Sequence, residues 1–222
     1  VHLTAQIEEL DAAVGNVFSA LKERGVENNT IVLFMSDNGG SRGTSMGPLK
    51  GGKGSLYEGG PRTPFLIHWP GSIPAGQVSH EIGVSSDLLP TLAKLCGGKL
   101  SDNKIDGRDL SDLFLSPDTA KSPHEGFAHK GKAYRLGKWK MVGKQLFDLE
   151  KDLGETHNLA KEYPEVLKTL SEKTNKFFSD MQAEVRPQSN MPDPSPIIKE
   201  SEANALPGLD KWLKEFEGYN NK

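Results

Sequence analysis

Two neighbouring stretches decide the fold: T-I-V-L-F-M-S-D-N-G-G at residues 30–40 and G-G-K-G-S-L-Y-E-G-G-P-R-T-P at residues 51–64. The first contains an unbroken apolar run at residues 31–35. No polar residue alternates within that run, which predicts a strand buried on both faces, as in the centre of a parallel sheet. The second is a glycine-rich loop that carries one lysine, Lys53.

Polar side chains follow the predicted strand directly. Ligands of open α/β sheets bind beyond the carboxyl ends of the strands, so Asp37 and Asn38 are expected at the mouth of a site. Carboxylate and amide oxygens are hard ligands for Ca²⁺ or Mg²⁺. Calcium takes about six to eight oxygens, so this pair would supply only part of a shell. The four residues 37–40 taken alone are also typical of a turn.

Lys53 admits two interpretations from the residues around it. A phosphate-binding P-loop is not one of them: residues 47–53 match G-x-x-x-x-G-K, but Gly54 stands where Ser or Thr would hold Mg²⁺. One interpretation is a point charge aimed at a tetrahedral oxyanion. The alternative is a solvated loop lysine, as is expected of Lys50. The loop sequence alone favours the solvated lysine.

The flanking segments predict an α/β protein. Apolar residues at three- and four-residue steps predict a helix over residues 4–24, with Gly25 as its stop. A second buried strand is predicted at residues 64–69, a helix from Ser85 to Leu95, and a short helix within residues 106–115. A helix followed by a short turn and a buried strand is one unit of a doubly wound sheet.

The pattern of apolar and glycine residues along the sequence changes after about residue 120. Short strand-like runs separated by glycines predict an antiparallel meander over residues 126–149. An amphipathic helix at residues 164–184 should cover one side of it. Residues 186–222 are rich in proline and predict an extended tail with a last short amphipathic helix. The predicted domains are therefore 1–120, 121–185 and 186–222.

Composition excludes several classes of function. The chain has 222 residues and a net charge of −3, which predicts no nucleic-acid or membrane-surface partner. No apolar run reaches the length of a membrane span. The single cysteine, Cys96, excludes an internal disulfide and a Cys-rich zinc site, and its place predicts a buried residue at a helix C-terminus. No histidine pair has zinc-ligand spacing, and His68 is expected in the core.

A series of segments, in order, resembles the type I sulfatases of the arylsulfatase kind, within the alkaline-phosphatase superfamily. Any one segment is weak evidence for this family, but the whole series in this order is specific to it. The segments are L-D-A-A-V-G-N-V (10–17), N-T-I-V-L-F-M-S-D-N-G (29–39), G-K-G-S-L-Y-E-G-G-P-R-T-P (52–64), W-P-G (69–71), S-S-D-L-L-P-T-L (85–92), G-K-W-K-M-V (137–142) and L-F-D-L-E-K-D-L-G-E-T-H-N-L-A (146–160).

The resemblance implies a fold and site roles. The fold would be the C-terminal portion of an alkaline-phosphatase-like α/β/α sandwich plus a small antiparallel sheet-and-helix subdomain. Asp37 and Asn38 match the family's calcium-binding pair, so the implied metal is Ca²⁺ rather than Mg²⁺. Lys53 matches the catalytic lysine that contacts the substrate sulfate. Glu58 and Arg62 match a pattern expected to shape the loop rather than to act in catalysis.

The chain also departs from the family pattern. Sulfatases need C/S-x-P-x-R, whose Cys or Ser becomes the formylglycine nucleophile, and neither Cys96 nor Ser116 nor Ser122 fits that spacing. The family's other metal-binding and catalytic residues lie upstream of its matching helix. We therefore expect a fragment that is inactive alone, from a calcium-dependent enzyme that hydrolyses sulfate monoesters.

The expected substrate is a sulfated small molecule or sulfated glycan, and the expected location of the whole protein is periplasmic, secreted or otherwise extracytoplasmic. Two alternatives remain at this stage. One is a phosphate-ester or phosphonate hydrolase of the same superfamily, which zinc ligands of the Asp/His kind would distinguish. The other is a non-catalytic sulfatase-like module that binds carbohydrate. The upstream sequence would separate all three.

Overall fold

The computed structural model describes residues 2–41, 43–100, 102 and 104–183. The chain divides into two compact units, residues 1–179 and 180–222. The predicted proline-rich tail and its short helix lie outside the described residues, and the predicted domain limits remain a prediction. No helix in the described ranges is long and apolar enough to cross a membrane.

The first element is the predicted amphipathic helix, α1, His2–Glu23. It ends where Gly25 adopts a φ of 64°, the left-handed conformation that glycine accepts most easily, as expected at a helix end. The C-terminal half of its apolar face is half-buried, and the Phe18 ring packs edge-on against His68 with centroids 5.1 Å apart. Ile7 and Leu10, nearer the start of the helix, stay exposed.

The apolar run forms strand β1, Val32–Met35, and the second predicted strand forms β2, Phe65–His68. They pair antiparallel, with Val32 opposite His68 and Met35 opposite Phe65. The predicted parallel pairing is wrong for these two strands. The described residues between the two strands, 36–41 and 43–64, form no helical crossover. A loop without such a crossover can return the chain in the opposite direction.

The predicted burial of these strands is also wrong. Phe34 is 39% exposed and Leu66, its partner across the strand pair, is 58% exposed. His68 is exposed at the end of β2 rather than in the core. Cys96 does follow the last turn of a helix, as predicted, but it is exposed too.

Asp87 organises the segment that follows. It precedes helix α2, Leu88–Leu95, and its side chain is fully buried. One carboxylate oxygen accepts the Val84 backbone N–H at 2.8 Å and lies 2.7 Å from His124 Nε2. The other accepts the Arg108 N–H at 2.8 Å. One side chain thus ties together three separate chain segments.

Helix α3, Ser111–Leu115, is shorter than predicted because residues 106–110 form no helical turn. The Leu110 N–H preceding this helix donates to Thr91 Oγ1 at 2.8 Å, which joins the helix to α2. Leu110, Leu113 and Phe114 form a small apolar core that includes the β2 residue Ile67.

The predicted meander is confirmed as a four-stranded antiparallel sheet in the order β3-β4-β5-β6. The strands are β3, Gly126–His129; β4, Ala133–Leu136; β5, Trp139–Val142; and β6, Gln145–Asp148. The predicted covering helix is α4, Pro164–Ala183. Its buried Leu170 packs with Tyr134, Met141 and Leu146 on one face of the sheet.

The other face of this sheet packs against the glycine-rich loop. Ala133, Val142 and Phe147 are buried there, with Leu56 and Tyr57 of the loop against them. Alternation along each strand assigns residues to the two faces, so Met141 meets α4 while Val142 meets the loop. The loop that carries Lys53 is therefore one of the two coverings of the C-terminal sheet.

We expect Asp87→Ala to lower the free energy of unfolding by about 3 kcal/mol or more, because it leaves buried hydrogen-bond donors without an acceptor. Urea unfolding of the 222-residue chain measures this. Asp112→Ala is the control, since the Asp112 side chain is 88% exposed and its change should stay within about 0.5 kcal/mol. Equal effects of the two substitutions would contradict the role assigned to Asp87.

Candidate functional site

The glycine-rich loop folds back onto the end of β1. The Ser36 N–H donates to the Pro64 carbonyl at 3.3 Å, and the Gly39 N–H donates to the Gly60 carbonyl at 2.9 Å. The Lys53 N–H donates to the Gly40 carbonyl, also at 2.9 Å. These bonds place the backbone of Lys53 beside the turn that begins at Asp37.

Close backbone approach explains the glycines in this site. A Cβ on Gly39 would stand 1.7 Å from the Gly59 carbonyl oxygen, and one on Gly60 would stand 2.1 Å from the Ser55 carbonyl oxygen. A Cβ on Gly52 would stand 2.6 Å from the Gly40 carbonyl oxygen. No other amino acid fits at these positions without moving backbone, so the turn and the loop can dock only through glycine.

The three sequence-predicted site residues lie on these docked segments. Lys53 is exposed and lines an open cleft of about 540 Å³ together with Gly40, Thr44, Met46 and Ser55 among others. Asp37 is exposed and Asn38 is half-buried, and neither lines that cleft. The structure thus brings the backbones of the three residues together around one turn.

The turn at Asp37 and Asn38 would supply part of the oxygen-ligand shell of a divalent cation. Asp37 offers an exposed carboxylate and Asn38 an amide oxygen, which suit Ca²⁺ in type. Within the described ranges, no group of three or more His, Cys, Asp or Glu side chains is placed to hold a metal. The donor pair fits the implied calcium in chemistry and needs further oxygen ligands to complete the shell.

A buried carboxylate anchors the loop. Glu58 is 3% exposed, and its Oε1 lies 2.7 Å from Nζ of the equally buried Lys140 on β5. Its Oε2 lies 3.4 Å from an Arg135 guanidinium nitrogen and 3.8 Å from one of Arg62. Glu58 and Arg62 therefore shape the loop rather than face the cleft, in line with the sequence-based expectation.

A second buried carboxylate supports the first. Glu155 follows β6, and its Oε2 accepts the Glu58 N–H at 2.7 Å. No described group hydrogen-bonds its Oε1. Burial, the largest cause, raises the pKa of Glu155 above its ordinary value, against the opposing effects of the Glu58 N–H and the Lys140 charge.

Lys50 is part of this support, although its sequence suggested a solvated side chain. Its Nζ donates to the Glu155 carbonyl at 3.0 Å and lies 4.0 Å from the centre of the Tyr57 ring. The Tyr57 hydroxyl in turn donates to Gln145 Oε1 at 2.7 Å. Of the two lysines compared at the start, Lys50 is structural and Lys53 is exposed to the cleft.

Sequence reasoning missed three of the residues that build this site: Lys140, Arg135 and Glu155. Strand alternation could have indicated the first two, because Lys140 shares a sheet face with the inward-facing Val142, and Arg135 with Ala133. No local signal marks Glu155, which sits in a polar turn and becomes buried only through tertiary contacts.

Comparison with known proteins agrees with this architecture. The sulfatase family model matches residues 4–98. Human arylsulfatase A is 38% identical over 209 residues, covering 74% of this chain and 41% of the relative. Mouse N-acetylgalactosamine-6-sulfatase is 40% identical over 144 residues, covering 60% and 27%. The crystal structure of Ps i-CgsB in complex with k-i-k-neocarrahexaose superposes with a TM-score of 0.68 at 33% identity, covering 92% and 47%.

This chain belongs to the sulfatase family and represents part of a type I sulfatase. Its fold is the alkaline-phosphatase-like α/β fold, as the resemblance implied. The chain spans less than half the length of human arylsulfatase A, at 41% of that protein. The antiparallel β1–β2 pair is thus part of an α/β protein, even though the pair itself is not parallel.

We expect Gly39→Ala to displace the loop and to lower the free energy of unfolding by about 3 kcal/mol, since the new methyl group would overlap the Gly59 carbonyl. Chemical unfolding provides the measurement. Gly15→Ala makes the same change in α1, where no atom lies within 4 Å, and should stabilise the chain by about 0.5–1 kcal/mol. A Gly39→Ala chain as stable as the parent would refute the docking role.

The raised pKa of Glu155 predicts a pH-dependent stability. The folded carboxyl binds its proton more tightly than the unfolded one, so the folded state loses stability as pH rises from the unfolded pKa through the folded pKa. Glu155→Gln abolishes this titration and keeps an oxygen for the Glu58 N–H. The stability of Glu155→Gln relative to the parent should therefore increase across this interval, by at most about 1.4 kcal/mol per pH unit.

Urea unfolding at a series of pH values above about 4 follows this difference. The control is Glu172→Gln, since Glu172 is exposed on α4. Its profile measures the effect of losing one exposed carboxylate and is subtracted from that of Glu155→Gln. A flat profile for Glu155→Gln after this subtraction would show that Glu155 is not desolvated.

Proposed function

We propose that this chain forms the part of a sulfatase that binds and orients the sulfate group of a sulfate monoester. One observation carries the proposal: Lys53 stands exposed at a cleft while the loop around it is fixed to the turn at Asp37 and Asn38. An ammonium group held there can stabilise negative charge on sulfate oxygens as the ester S–O bond breaks. The family membership supports this role, because the relatives are named as sulfatases.

The proposed metal is calcium, held in part by Asp37 and Asn38. Bound there, it would polarise the sulfate group and stabilise negative charge. Asp37 would contribute a charged oxygen and Asn38 a neutral one, each presented by the turn that the glycine contacts fix. The proposed nucleophile is a formylglycine supplied by upstream sequence.

The proposed substrates are sulfated small molecules or sulfated glycans. One relative is named for N-acetylgalactosamine 6-sulfate chemistry, and a similar structure was determined with an oligosaccharide, k-i-k-neocarrahexaose. The cleft beside Lys53 is open rather than enclosed, so other parts of the protein would select among sulfate esters. An extracytoplasmic location for the whole protein is part of the same proposal.

The test joins this chain to the upstream sequence and measures hydrolysis of an aryl sulfate. Lys53→Met should reduce kcat/KM by about 10²–10³-fold, since one charge that stabilises the transition state is lost. Lys99→Met is the control because Lys99 is exposed and lies away from the cleft. Unchanged activity of Lys53→Met would overturn the role of Lys53.

Two further measurements complete the test. The 222-residue chain alone should give no steady turnover, since it has no C/S-x-P-x-R sequence. An aryl phosphate assayed in parallel addresses the superfamily alternative. Preference for the phosphate ester would overturn the sulfatase proposal, as would steady turnover of the sulfate ester by the isolated chain.

A further inference from the structure

Two residues of the C-terminal sheet region have an unusual backbone. Lys130 and Glu155 have φ values of 48° and 50°, and they are the non-glycine residues with positive φ in the part of the chain that the structure describes. Left-handed backbone costs a side-chain-bearing residue about 1–2 kcal/mol, and glycine or asparagine would adopt it more easily. Such strain persists where the surrounding contacts determine the conformation.

Both strained residues direct their side chains to the same loop. Lys130 Nζ donates to the Gly54 carbonyl at 3.2 Å. Glu155 Oε2 accepts the Glu58 N–H at 2.7 Å. These contacts come from two different turns, one after β3 and one after β6. They hold the loop at Gly54, which directly follows Lys53, and at Glu58, five residues beyond Lys53.

The loop needs external contacts to keep one conformation. Gly51 and Gly54 flank Lys53 closely and have φ values of 80° and 85°. Glycine has the largest conformational freedom of any residue, so ordering this segment is costly in entropy. The Lys53 side chain is itself exposed, so its position depends on how firmly the backbone at residues 52–55 is held.

A neighbour on the same turn adds to this contact. His129, the last residue of β3, is half-buried beside Lys130 and lies near the Ser55 backbone. Burial, followed by the charges of Lys140 and Lys130, lowers the pKa of His129. The hairpin that carries His129 and Lys130 therefore lies against the loop at Gly54 and Ser55.

We propose that Lys130 and Glu155 are positioning residues that fix Lys53 at the cleft by holding its loop from the C-terminal sheet. The inference rests on the proposed function, because it takes Lys53 to be the residue that contacts sulfate. Neither side chain lines the cleft, so neither is placed to touch the substrate. The free-energy cost of the left-handed backbone at each residue is offset by the side-chain contact that holds the loop in one conformation.

Amide hydrogen exchange in the 222-residue chain tests the structural half of this proposal. The Lys53 N–H bonds to the Gly40 carbonyl, so its exchange rate reports directly on loop docking. Lys130→Asn tolerates the left-handed backbone and removes the ammonium group. It should accelerate exchange of the Lys53 amide about 10-fold, equivalent to about 1.4 kcal/mol, and leave the β5 and β6 amides unchanged.

Matched variants separate this role from general destabilisation. Lys132→Asn removes an exposed lysine from the same turn and should leave the Lys53 amide unchanged. Lys130→Arg keeps a donor of similar reach and should restore most of the protection. Glu155→Ala should act like Lys130→Asn, whereas Glu155→Gln, which keeps an acceptor oxygen, should not. Unchanged exchange in Lys130→Asn, or equal acceleration throughout the sheet, would overturn the proposal.

Activity of the chain joined to its upstream sequence tests the functional half. Lys130→Asn should lower kcat/KM about 10-fold in the parent and have little effect in a Lys53→Met background, because both changes remove the same positioned charge. A loss that is equal in both backgrounds would overturn the positioning role and leave the proposed function intact. If Lys53→Met alone changes nothing, the proposed function fails, and this inference fails with it.

Discussion

The structure around the candidate site depends on a buried ion pair between Glu58 and Lys140, whose charged atoms are 2.7 Å apart. Both side chains are almost fully buried, at 4% and 3% exposure. Removing two charges from water is costly, so such a pair adds little net stability even with good geometry. Its effect is selective: the loop can dock on the sheet only in the register that brings Glu58 to Lys140, because any other register buries an unpaired charge.

The glycines impose the complementary steric condition. The ion pair holds the far end of the loop on the C-terminal sheet, while the near end must dock against the turn that follows β1. At Gly52, the loop backbone approaches the turn so closely that a Cβ there would stand 2.6 Å from the Gly40 carbonyl oxygen. Charge and sterics thus fix opposite ends of one loop, and Lys53 lies between them. An exposed lysine gains a defined position in this way without being buried itself.

Local sequence predicted much of the fold and only part of the site. Apolar periodicity located α1 and α4, and glycine spacing located the meander, because those signals are local. Strand direction was not encoded in the same way: the apolar run that forms β1 shows no alternation, and an antiparallel partner fits it as well as a parallel one. Burial failed at Phe34 and Cys96 for the same reason, since exposure depends on what packs against a residue.

The site contains residues of two kinds, and only one kind is visible in a linear pattern. Asp37, Asn38 and Lys53 stand at loop positions after a strand, where chemistry is expected. Lys140 and Glu155 lie about 80 to 105 residues from the loop segments they contact. Their role follows only from the fold, because a lysine in a strand and a glutamate in a turn are ordinary until the sheet places them against the loop. A sulfatase C-terminal sheet of this form is therefore a structural part of the candidate site, since it supplies the groups that hold the Lys53 loop in place.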